Sequence, residues 1–149
     1  MYKKILVPLD GSETSEAVLP HVAALAKCTG AKVVLLRVTT QPMYETVFGD
    51  TVVTHTAPLP PDAGERSHAE GYLQRVAFDN FEDSNDVSIE VCGGPIAETI
   101  LDYAAGIDAD VIAMSTHGRS GLARMVIGSV ADEVVRRSHL PVLLVRPEK

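Results

Sequence analysis

The sequence predicts an α/β domain built on an open, parallel, doubly wound five-stranded sheet flanked by helices. Three observations carry this expectation. Short apolar runs alternate with longer segments of helical period, in the order β-α-β-α-β-α-β-α-β. The run KVVLLRV is apolar nearly throughout, as parallel strands covered on both faces are, while VSIEV alternates. Hydrophobic residues make up 46% of the 149 and charged residues 22%, which marks a globular chain of one-domain length, 1–149. Trp is absent and aromatics are few, so the core must be aliphatic.

Lys3–Val7 (KKILV), ending at Pro8, reads as the first buried strand. Asp10-Gly11-Ser12 breaks the pattern, and Ser12 or Ser15 can cap a helix there, with Glu16 placed to help. Val18, Val22 and Leu25, with Ala17, Ala24 and Cys28, give that helix its apolar stripe, and Gly30 closes it. Lys32–Val38 (KVVLLRV) is the second strand. From Thr39 to about Ala63 the chain is polar and Pro-rich and reads as a long structureless loop, functional or mobile. A helix over Glu65–Phe81 and a third strand over Val87–Val91 follow. Gly93-Gly94-Pro95 turns the chain into a helix, Ile96–Ala105, whose buried stripe is Ile96, Ile100, Leu101 and Ala104. Val111–Ser115 is the fourth strand, and a glycine-bearing loop leads from it to a helix over Ser129–Ser138. Pro141 precedes the last strand, Val142–Val145 (VLLV), which as an exposed edge invites pairing with a second copy, so a homodimer through it is expected.

Composition also excludes. A net charge of −7 argues against a general nucleic-acid binder, which needs a broad basic surface, but not against a mononucleotide site. Cys28 and Cys92 form no CxxC pair, so neither a disulfide framework nor a zinc site is expected, and both read as small buried hydrophobes. The apolar run after the basic pair at the start is too short for a secretory signal, and no stretch approaches the roughly 20 residues of a membrane helix. A cytoplasmic protein with no membrane contact is expected.

In open α/β sheets ligands bind at the carboxyl ends of strands, beside the switch in strand order. Asp10, Val38 and Ser115–Gly118 fall at such ends. In the segment from Ser115 to Ser129, nine residues separate Gly118 from Gly128, and Gly128-Ser129 opens a helix. A helix N-terminus offers unpaired amides and a partial positive charge, and glycine lets a phosphate reach the backbone. The dipole contributes about 0.3–1 kcal/mol, whereas micromolar binding needs about 8. Loop amides, Arg119 or Arg124 and burial of the base must supply the rest. On spacing alone the same residues fit a plain loop turn and a helix cap, since the pattern is neither a Walker loop nor GxGxxG.

The opening KKILVPLDGSE and the segment STHGRSGLARMVIGSVADEVVRRSHLPVLLVRP resemble the universal stress protein family, and the likeness runs over essentially the whole chain. It implies a Rossmann-like fold of the adenine nucleotide alpha hydrolase-like kind. Family members with ATP carry Gly, two residues, Gly, nine residues, Gly, then Ser or Thr. The last two glycines and the hydroxyl fall on Gly118, Gly128 and Ser129. The first glycine falls on Ser115, whose Cβ crowds the ribose or phosphate and weakens ATP binding, or whose hydroxyl donates a bond. By the same resemblance Asp10 accepts hydrogen bonds from the ribose or helps hold Mg2+, Pro8 and Val38 flank adenine, and Val130 lends an amide beside the phosphates.

Other residues carry weaker signals. His117 lies in the loop and can change charge near neutral pH, whereas His21, His55, His68 and His139 have no metal-like spacing. Asp108 and Asp110, at the opposite end of the fourth strand, read as solvated turn residues, and Arg136-Arg137 as structural. No catalytic pair and no metal set emerges. The expected function is a dimeric module that binds ATP in stress response or signalling. The competing readings are a slow ATPase or an autophosphorylating enzyme with Ser129 as acceptor, and a family member that binds AMP, a cyclic nucleotide or none.

Overall fold

The computed structural model describes residues 1–40, 44–55, 62–82, 86–116 and 127–148, with the backbone alone for 44–48 and 53–55. The elements run β1 (Lys4–Pro8), α1 (Glu13–Glu16), α2 (Leu19–Thr29), β2 (Lys32–Thr39), β3 (Tyr44–Phe48), β4 (Thr51–His55), α3 (Ala63–Asn80), β5 (Val87–Gly93), α4 (Ile96–Gly106), β6 (Val111–Ser115), α5 (Ser129–Arg137) and β7 (Val142–Val145). Five strands form one parallel sheet in the order β5-β2-β1-β6-β7. The chain winds outward from β1 to β2 and β5, then crosses back to β6 and β7. The strand order therefore reverses between β1 and β6. All five strands and the doubly wound order agree with the sequence expectation.

Alternation along the strands divides the core in two. Ile5, Val7, Val33 and Leu35 face one side, where Leu19 and Val22 of α2 and Leu73 and Val76 of α3 cover them. Leu6, Val34, Leu36 and Ile112 face the other, under Ile100 and Ala104 of α4 and Ala131 and Val134 of α5. Each fully buried aliphatic side chain contributes about 1.5–3 kcal/mol relative to exposure. Both faces being covered is why the central strands β1, β2 and β6 read as nearly continuous apolar runs.

Two expectations need correction. The 39–63 stretch is not structureless, because β3 and β4 pair antiparallel within it, from Tyr44↔His55 to Phe48↔Thr51. The two segments, YETVF and TVVTH, have the β-branched and aromatic density of strands, and Gly49 supplies the positive φ (62°) their short turn needs. Pro42, Pro58, Pro60 and Pro61 around them hide this signal. The helix expected between Ser12 and Gly30 is also two helices. Pro20 lacks an amide hydrogen and would clash with the carbonyl four residues back, so the helix restarts at Leu19 with Pro20 in its first turn. Ser12 is the cap of α1, with its hydroxyl accepting from the Ser15 amide at 3.1 Å. Gly30 ends α2 in the left-handed region at φ 70°.

Candidate functional site

The reversal between β1 and β6 splays the outgoing connections apart and opens a cleft of about 140 Å³ at the carboxyl ends of the strands. Pro8, Asp10, Val38, Ser115, Gly128, Ser129 and Val130 all line it. The residues come from four different parts of the chain, which only the parallel winding gathers. Gly118, named with them from the sequence, lies outside the described residues, as do His117, Arg119 and Arg124.

One wall is the turn after β1. Gly11 has φ 88°, a conformation L side chains rarely adopt, and this folds Ser12 back onto Asp10. The Ser12 amide and hydroxyl both donate to Asp10 Oδ1, at 2.8 and 2.6 Å. Burial pushes the Asp10 carboxyl up, but these two bonds, with smaller pulls from Ser15 and Arg37, outweigh it and hold the group below its ordinary value. Asp10 is thus a fixed anion at neutral pH, held chiefly by the two donations from Ser12. The Ser115 hydroxyl, at the end of β6, donates to the Ser15 carbonyl at 3.3 Å and so bridges the two sides of the reversal. Behind this turn Glu16 faces α3, where it accepts from the Tyr72 hydroxyl at 2.9 Å. Glu16 therefore ties α1 to α3 and does not help cap α1.

The opposite wall is the start of α5. Gly128 is its N-cap and makes no side-chain cap. The first helical amide bond runs from Asp132 to the Gly128 carbonyl at 2.9 Å. The amides of Ser129, Val130 and Ala131 precede it, and no described residue accepts from them. They line the cleft with the positive end of the helix dipole. The floor is apolar: Val38 and Ile100 are buried, as is Met114 beneath them, and Ile96 is half-buried.

Sequence reasoning missed some of the cleft. Arg37 lines it, yet inside the run KVVLLRV it reads only as one polar residue of a strand. Ile96 and Ile100 were legible as a helical stripe, but the stripe continues past the core into the cleft. Ser15 lines it too, besides its place in the α1 turn.

Elsewhere two expectations change. Cys28 is exposed near the end of α2 and not buried; Cys92 is half-buried, and burial pushes its thiol up. Asp110 is not a solvated turn residue, because the Lys3 and Lys4 amides both donate to its Oδ2 at 2.8 Å. Arg136 and Arg137 pair along α5 with Asp132 and Glu133, in keeping with a structural role. His21, His68 and His139 are exposed, and no group of three or more metal-type side chains occurs among the described residues. No helix among the described residues is long and apolar enough to cross a membrane.

Comparison with known proteins places this architecture. Residues 1–146 match the model of the universal stress protein family. Universal stress protein MJ0531 of Methanocaldococcus jannaschii is 30% identical over 100% of this chain and 85% of its own. The solved structure of MJ0577 superimposes with a TM-score of 0.72 and 27% identity, covering 100% of this chain and 99% of that one. Two structures share the fold at lower identity. One is a universal stress protein in complex with cAMP (TM-score 0.67, 20% identity, 99% and 98% covered). The other is the Archaeoglobus fulgidus protein in complex with dAMP (TM-score 0.63, 19% identity, 96% and 97% covered). In sequence and in fold, the chain belongs to the universal stress protein family.

Proposed function

We propose that the chain binds an adenine nucleotide, ATP foremost, in the cleft between the Asp10 turn and the start of α5, and acts as a binding module. The observation that carries this reading is the convergence of Asp10, Val38, Ser115, Gly128, Ser129 and Val130 on one cleft at the strand-order reversal. The cleft offers what each part of a nucleotide needs. Val38, Ile96 and Met114 give the base an apolar seat. The Asp10 carboxylate accepts from the sugar hydroxyls. The open amides of α5 and the Ser129 hydroxyl receive phosphate oxygens, and Gly128 adds no Cβ in their way. A magnesium ion arriving with the triphosphate would meet Asp10, the one carboxylate among the described lining residues. The Ser115 Cβ narrows the cleft and weakens ATP, which keeps AMP and cyclic nucleotides in contention. The complexes of similarly folded proteins with cAMP and dAMP support an adenine ligand.

Mass analysis of nucleotide retained on the purified protein, with calorimetry against Mg-ATP, tests the reading. No retained nucleotide, no heat and no thermal shift at millimolar ligand would sink it. Phosphate release that disappears in Asp10→Ala would turn the module into an enzyme. The dimer belongs to the same proposal. β7 lies at the edge of the sheet, and its Val142, Leu143 and Leu144 are only half-buried, so a second copy has a strand to pair with. Sedimentation at micromolar concentration should show a dimer, and a clean monomer would count against this surface.

A further inference from the structure

Arg37 is the one cationic side chain among the described residues lining the cleft. We propose that it is a ligand-binding residue whose guanidinium takes the phosphate adjoining the sugar, making the cleft select nucleotides over nucleosides. This rests on the nucleotide reading above and goes beyond it by naming the group that neutralises the inner phosphate.

The case starts from the strand. Arg37 falls on the side of β2 that carries Val33 and Leu35, two residues from the carboxyl end of a buried run, where a charge is costly unless it is paired. It is half-buried. Yet none of the ion pairs among the described residues includes it, whereas Arg66, Arg136 and Arg137 each have a carboxylate four residues away along their helix. Its one hydrogen bond among the described residues is a long one, from Nη1 to the Leu9 carbonyl at 3.4 Å. A guanidinium has five N–H donors in a planar fork suited to phosphate. Among the described residues, most of that capacity is therefore unspent.

Its placement selects the phosphate. Nη2 lies alongside the turn, 4.0 Å from where a Cβ on Gly11 would stand. The guanidinium is thus beside the Asp10 turn, where the sugar sits in the proposed reading, and the amides of α5 line the other wall. The phosphate next to the sugar comes within reach of Arg37, while those farther out belong to α5 and Ser129. An anion entering this cleft meets the Asp10 carboxylate and a protein of net charge −7. A local cation offsets both.

Calorimetry on the full chain with adenosine, AMP and Mg-ATP tests this, using the wild type, Arg37→Gln and Arg37→Lys. Gln keeps a donor for the Leu9 carbonyl and removes the charge. The expected result is an equal loss for AMP and ATP of about 10- to 100-fold, with adenosine unaffected. Lys, with charge but no fork, should recover part of the loss. Equal weakening of adenosine would mean that Arg37 faces the base, and loss confined to ATP would move it to the outer phosphates. Either result, or no loss at all, overturns the proposal. If Arg37→Gln fails to fold, judged by its ligand-free melting curve, the Lys variant carries the same comparison: a selective loss for AMP over adenosine supports the assignment and a non-selective one defeats it. A wild type that binds none of the three ligands defeats the nucleotide reading itself, whereas wild-type binding unmoved by either variant defeats only the role of Arg37.

Discussion

Two aspartates, at opposite ends of the same sheet, are both held ionised and are put to different uses. Asp110 precedes β6 at the amino ends, where two backbone amides, from Lys3 and Lys4, converge on one of its oxygens. Its own amide donates to the Lys4 carbonyl at 2.9 Å. It knits the start of β1 to the start of β6. Asp10, at the carboxyl ends, is held mainly by Ser12 two residues away, with only a weaker electrostatic pull from the more distant Arg37. It knits nothing together beyond its own turn. A carboxylate oriented by its own turn and facing a cleft is free to meet a ligand, while one shared between strands is already used by the fold.

The sharpest break of this contrast is in ligand affinity. Asp10→Ala should weaken Mg-ATP by about 10- to 100-fold in calorimetry, the loss of hydrogen bonds to a charged acceptor. Asp110→Ala should leave that affinity unchanged. Equal effects from the two would dissolve the distinction. In ligand-free melting the ranking should invert: Asp110→Ala strands two amides and lowers the melting temperature more than Asp10→Ala does.

Acid should act on both. Each carboxylate has a folded value below its ordinary 3.8, Asp10 because the Ser12 bonds overcome the upward push of burial, Asp110 because the Lys3 and Lys4 amides donate to it. The unfolded chain therefore takes up protons first as the pH falls. The stabilisation is fully present above pH 3.8 and is lost as the pH drops through the lowered folded values. Asp10→Asn and Asp110→Asn should each flatten the acid limb of a stability-against-pH curve, and an unchanged limb in either would contradict its shift. The smallest effect is expected at Ser115. Ser115→Gly should tighten ATP by about two- to threefold, relieving a contact worth a few tenths of a kcal/mol. Unchanged or weaker binding would show that its hydroxyl, and not its bulk, is what the ligand meets.

Much of this was legible in the sequence, for identifiable reasons. The central strands announced themselves because covered strands keep polar residues to a minimum, as in KILVP and VIAMS, while β5 was legible from the alternation of VSIEV. Asp10, Gly128 and Ser129 could be set at a turn and a helix start from local signatures, but it was the family resemblance that singled them out for a ligand. The β3–β4 hairpin escaped because its flanking prolines outweighed ten residues of strand-like composition. Arg37 escaped for a different reason. Its role depends on which side of β2 it occupies and on what lies across the cleft, and neither is a property of neighbours in sequence. Cys28 was misread because a small residue on a helical stripe says nothing of whether the stripe is still covered at the helix end.

The sheet also acts as a partition. Its two side-chain layers share no residue among their buried members. Volume lost beneath α3, as in Leu73→Ala, and volume lost beneath α4, as in Ile100→Ala, are separated by a layer of hydrogen-bonded backbone. Their destabilisations, about 2–5 kcal/mol each, should sum in the double variant, whereas Leu73→Ala with Val22→Ala, both in one layer, should not. The molecule can therefore repack one side of its sheet while the other holds its shape, so that the layer beneath α4 and α5 is insulated from mutations in the layer beneath α2 and α3.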